Sequence, residues 1–152
     1  MFLSHYVPIN LKYWELYRED KIGHLELRYR RLKDTFDSIS YTIDDAAILL
    51  ISEEYIKNLP TFNYLFDGTI EILEYLKSKY KLHIITNGFQ DVQNGKLRNS
   101  NIAHYFTSVT NSETAGVKKP NPKIFELIFA SPVINPSAGV LAMRSSRLRR
   151  LR

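Results

Sequence analysis

Leu82-His83-Ile84-Ile85-Thr86-Asn87-Gly88-Phe89 decides how this 152-residue chain is read, and Gly116-Val117-Lys118-Lys119-Pro120 answers it further along. An apolar, β-branched run that stops at Thr-Asn-Gly predicts a buried strand ending abruptly in a polar loop. In an open α/β sheet, ligands gather at that carboxyl end. Thr86 offers a hydroxyl there, Asn87 and Gly88 offer backbone N–H groups, and Lys119 can bring a point charge to the same place. Such a set suits an anion.

Outward from this strand, the spacing predicts helices and one further strand. Asp67-Gly68-Thr69 opens a helix with Ile70, Leu73, Leu76 and Tyr80 on one side, and the Asp67 segment reads as an N-cap. A helical stretch weakened by Gly95 follows from Gln90 to about His104. Thr107 to Thr110 reads as a second strand, and Asn121 to Phe129 as a helix with Pro122 in its first turn. Helix, strand, helix, strand, helix implies parallel strands and an α/β architecture. Val133, Ile134 and residues 139–143 could form one more strand, although Pro132 and Pro136 interrupt the approach.

Before residue 62 the chain reads as three helices. Asn10 is placed to cap the first, which carries Leu11, Trp14 and Tyr17. Leu25, Tyr29, Leu32 and Phe36 mark the core-facing side of the second. Thr42-Ile43-Asp44-Asp45 resembles a capping box before a third helix that stops at Pro60. The aromatic residues on these helices read as packing rather than as a substrate pocket.

The formal charge is +5, but residues 144–152 hold five arginines and no acid. Removing them leaves 16 basic residues against 16 acidic ones. The body therefore shows no nucleic-acid face, and only an Arg-rich tail, expected to be disordered, could contact nucleic acid. Cysteine is absent, which excludes disulfides and thiolate metal sites and suits a reducing cytoplasm. The first twenty residues are not expected to act as a signal peptide, and no apolar run is long enough to span a membrane. His5, His24, His83 and His104 lack metal-ligand spacing, and Asp91 and Glu113 are polar neighbours of the two motif segments that could simply face solvent.

The strand ending Ile85-Thr86-Asn87-Gly88, with Lys118-Lys119-Pro120 and then Asn121-Pro122 opening a helix, resembles the haloacid dehalogenase-like (HAD) phosphohydrolases. The wording around these motifs is most similar to the branch that dephosphorylates pyrimidine nucleotides. The resemblance implies a partial HAD-like, Rossmann-type parallel sheet over 63–143, an N-terminal helical cap over 1–62 and a basic tail over 144–152. It also implies phosphate binding by Thr86, Asn87, Gly88 and Lys119, with Lys119 preferred to Lys118 because it directly precedes Pro120. Hydrolysis of phosphate monoesters, nucleoside 5'-monophosphates above all, is the implied activity, Mg²⁺ the implied cofactor and a phosphorylated small molecule the implied partner.

The sequence departs from the family pattern at two places. No Asp-x-Asp occurs anywhere to supply a nucleophile, and Glu126 is the only acidic residue after Lys119. No catalytic or metal-binding residue is therefore assigned, and the chain is expected to be truncated, catalytically incomplete and hard to fold alone. A frameshifted end or a genuine basic arm would each account for the Arg-rich residues. The alternatives also stay open in function: Thr86-Asn87-Gly88 can be a simple turn, and the chain can be a non-catalytic anion-binding or tail-mediated interaction protein.

Overall fold

The computed structural model describes residues 1–129, and the chain divides into two compact units, Met1–Phe62 and Asn63–Arg152. Expectations for Val133, Ile134, residues 139–143 and the arginine-rich tail lie outside the described residues. Among the described residues no helix is long and apolar enough to cross a membrane.

The first unit contains α1 (Phe2–Arg18), α2 (His24–Ser38) and α3 (Asp45–Asn58), followed by a 3₁₀ turn at Leu59–Thr61. Helices α1 and α2 run antiparallel: Phe2 packs on Phe36 at 5.2 Å, and Arg31 donates to Asn10. The first helix thus starts eight residues before the expected cap, and Pro8 lies within it. Asn10 is a mid-helix residue whose side-chain oxygen faces α2. A proline and a good capping residue together mimic a helix start in sequence, but here α1 runs through both.

Helix α2 is also rotated from the apolar pattern. Leu27, Arg31, Leu32 and Thr35 are its buried residues, whereas Leu25 is 66% exposed. Apolar spacing missed Arg31 and Thr35 because both are polar. Thr35 is accommodated by donating its hydroxyl to the Arg31 carbonyl at 2.6 Å. The aromatic expectation fares better: Tyr13 and Tyr17 are buried, and Trp14 meets Tyr17 edge-on.

Helix α3 is capped two residues later than expected. Asp44, not Thr42, accepts the Ala47 N–H at 2.7 Å. Its carboxylate also stands at the positive end of the helix. Asp44→Ala should therefore lower stability by about 1 kcal/mol, measurable by urea denaturation, whereas Thr42→Ala should change it little.

The second unit alternates as the spacing predicts: α4 (Thr69–Lys77), β1 (Leu82–Thr86), α5 (Gln90–Asn99), a 3₁₀ turn, β2 (Phe106–Asn111), α6 (Ser112–Ala115) and α7 (Lys123–Phe129). The strands are parallel, with Thr86 level with Asn111. Gly68, at φ +76°, occupies the N-cap of α4, where Asp67 was expected, and no side chain caps that end. Helix α5 stops five residues before His104, and Asn101 takes a left-handed φ of +54° after it. Asparagine tolerates that conformation better than most residues.

Leu73 and Leu76 of α4, Leu82 of β1 and Tyr105 form one buried cluster, with Ile102 and Phe106 packed against it. This core sets the floor of the sheet. Helix α6 was not expected; Asn111 caps it by accepting the Thr114 N–H, and Gly116 ends it at φ +67°. Helix α7 begins two residues later than Asn121, whose side chain accepts the Lys123 N–H at 3.0 Å.

Candidate functional site: a lysine clamped to a strand end

The carboxyl end of β1 carries the candidate site. Beyond Thr86 the chain turns through Asn87, Gly88 and Phe89 into α5, and the Gly88 N–H donates to Thr86 Oγ1 at 3.0 Å. Hydroxyl-to-backbone bonding of this kind stabilises a tight turn. The N–H that sequence reading offered to an anion thus closes the turn, while the Thr86 hydroxyl, acting as acceptor, keeps a proton to donate. A side chain at position 88 would collide with Gln93, whose amide nitrogen lies 2.3 Å from a built Cβ. The Gln93 amide is the far end of a flexible side chain and would swing aside to admit one.

Asn87 contributes its side chain rather than its backbone. Its amide donates to the Lys119 carbonyl at 2.9 Å, and its oxygen accepts the Lys119 N–H at 2.8 Å. These paired bonds fasten a segment remote in sequence to the strand end. The Lys119 ammonium then reaches inward and donates to the Ile85 carbonyl at 2.7 Å. Lys119 is thereby anchored beside Thr86, and the Lys119–Pro120 peptide is cis. All four residues singled out in the sequence, Thr86, Asn87, Gly88 and Lys119, meet here.

Glu113 was read only as a polar neighbour. Its carboxylate accepts the Gln90 N–H at 2.9 Å and so caps α5 from α6. Nothing local in the sequence signalled this, because the partners are 23 residues apart. Asn111 and Ser112, at the adjacent strand end, are buried, and Ser112 Oγ lacks a hydrogen-bond partner. Among the described residues no group of three His, Asp or Glu could hold a metal ion. Magnesium, which needs oxygen ligands that are usually acidic, does not fit what these residues offer.

His83 lies inside β1 and shares a 2.7 Å hydrogen bond with Ser108 of β2. Burial, followed by the nearby Lys81 charge, lowers its pKa from the ordinary value. Folding therefore favours the neutral ring. The stability it contributes is complete above the unfolded pKa of about 6.5 and is lost as pH falls below that value toward the folded pKa. Urea midpoints should decline as pH falls below about 6.5, and His83→Gln should flatten that decline.

The second unit is a parallel α/β unit with a polar strand-end loop clamped to a later lysine, the end of such a sheet at which ligands collect. Comparison with known proteins sharpens this. The model of the haloacid dehalogenase-like hydrolases matches residues 9–141, and the chain belongs to that family. It is 28% identical over 126 residues to YfnB of Bacillus subtilis, named as a HAD-hydrolase, covering 83% of this chain and 52% of YfnB. It is 27% identical over 121 residues to the pyrimidine 5'-nucleotidase YjjG of Escherichia coli, covering 80% of this chain and 52% of YjjG. The crystal structure of YfnB bound to magnesium matches with a TM-score of 0.78 at 26% identity, over 86% of this chain and 58% of that one. The chain thus spans about half the length of the curated relatives it matches.

Proposed function

We infer that this chain supplies the phosphate-gripping part of a HAD-type phosphohydrolase for nucleoside 5'-monophosphates. In this reading the Thr86 hydroxyl and Lys119 ammonium hold phosphoryl oxygens, the Gly88 N–H fixes the Thr86 hydroxyl, and Asn87 positions Lys119. One observation carries it: the paired Asn87–Lys119 hydrogen bonds bring a cation from a remote segment to the Thr86 strand end. Phosphoryl transfer needs charge neutralised by such fixed donors. The pyrimidine 5'-nucleotidases YjjG and PynA among the relatives support the substrate class.

Binding and hydrolysis separate here. The magnesium of YfnB supports Mg²⁺ as the cofactor of the reaction, yet the described residues gather no ligand set for it, and no step is assigned to it. The sequence has no Asp-x-Asp nucleophile motif. We read the chain as it stands as catalytically incomplete, and a non-catalytic anion-binding or tail-mediated interaction protein is the second reading.

Calorimetric titration with uridine 5'-monophosphate tests the grip. Thr86→Val and Lys119→Met should each weaken binding at least about tenfold, the scale of one charge-assisted hydrogen bond. Unchanged affinity in both would overturn it. No phosphate release is expected with Mg²⁺ present, and release abolished by Lys119→Met would show the site to be complete.

A further inference from the structure

The interior of the first unit contains a charge that its own residues do not balance. Arg31 of α2 is 3% exposed. One Nη donates to Asn10 Oδ1 at 3.2 Å, and the guanidinium carbon lies 4.9 Å from the centre of the Tyr55 ring. Its Nε is buried with no hydrogen-bond partner. None of the ion pairs among the described residues involves Arg31.

The acidic residues of α2, and Asp45 at the start of α3, have partners of their own. Asp34 accepts the Tyr13 hydroxyl, Glu26 pairs with Arg30, Asp37 with Lys33, and Asp45 accepts the Tyr29 hydroxyl. Tyr6 does not serve as a counter-ion, because burial pushes its hydroxyl up to about 12 even though Arg31 acts to lower it. A guanidinium cannot escape by losing its proton. Burying such a charge is costly unless an anion offsets it, and the Tyr55 ring is a neutral partner that leaves the net charge in place.

A second arginine points the same way. Arg28 is three residues earlier on α2, which places it on the same helix face. Its Nε donates to Ser52 Oγ at 3.3 Å, and Ser52 and Tyr55 are likewise three apart on α3. Two arginines, a hydroxyl and an aromatic ring thus face one another between α2 and α3.

We propose that Arg31, with Arg28 beside it, forms an oxyanion-binding site within the helical unit, distinct from the Thr86–Lys119 strand end. Nε and the neighbouring Nη of Arg31 present the planar edge that takes two oxygens of a phosphate or carboxylate. The ring of Tyr55, a residue 41% exposed, lies over the Arg31 guanidinium.

NMR of the arginine Nε–H groups in the full chain tests this, because the buried Arg31 N–H exchanges slowly with water and disappears in Arg31→Lys. Titration with inorganic phosphate, and separately with acetate, at constant ionic strength should shift that resonance saturably. A response to phosphate points to phosphate esters and a response to acetate alone to carboxylates; either supports the site, and none with either anion overturns it. The shift should persist in Lys119→Met, and its loss there would assign the anion to the strand end instead. Arg28→Gln should weaken the response by about tenfold, and an unchanged response would remove Arg28 from the site.

Discussion

Asn87→Ala is expected to lower the stability of the second unit by about 2 kcal/mol, taking about 1 kcal/mol for each of the two hydrogen bonds lost. The same change leaves the Lys119 N–H and carbonyl without the partners that hold them at 2.8 and 2.9 Å. Uridine 5'-monophosphate affinity should then fall at least about tenfold, because Lys119 has to be ordered anew on binding. Denaturation in urea and calorimetry measure the two effects. Asn87→Asp discriminates further: its carboxylate can still accept the Lys119 N–H but cannot donate to the carbonyl. A variant that kept full affinity on losing the amide would show that Lys119 is positioned by other contacts.

Leu73→Ala should have the largest effect on stability, about 2–5 kcal/mol. Leu73 is 3% exposed within the cluster that joins α4 to β1 and to Tyr105. Removing its side chain leaves a cavity beneath the strand whose end carries Thr86. Ile70, on the same helix but 41% exposed, provides the contrast: Ile70→Ala should cost less than about 1 kcal/mol. Thermal or urea denaturation of the pair measures the difference. Equal losses at both positions would mean that Ile70 is packed as deeply as Leu73 in solution.

Most of the second unit was legible because its signals are local. β-Branched residues in 82–86 form a strand, the Thr-Asn-Gly turn ends it, and Leu73 and Leu76 of the expected helix face are the residues buried. The first unit was harder to read. Arg31 and Thr35 lie on the buried side of α2 while Leu25 is exposed, so apolar spacing mislocated the face. Pro8 and Asn10 looked like a helix boundary, yet α1 passes through both.

Sequence by itself was enough for the parallel α/β class, for the resemblance to the HAD hydrolases, and for the pairing of Thr86 with Lys119 as a candidate phosphate grip. Each depends on short-range pattern or motif wording. Only the tertiary structure decided how the grip is built: Asn87 works through its side chain, Gly88 closes the turn, and Glu113 caps α5 from α6. It also decided that Arg31 is buried without a carboxylate. The physical reason is common to all of these: which side chain meets which donor or charge is set by long-range packing, and residue periodicity carries no record of that partner.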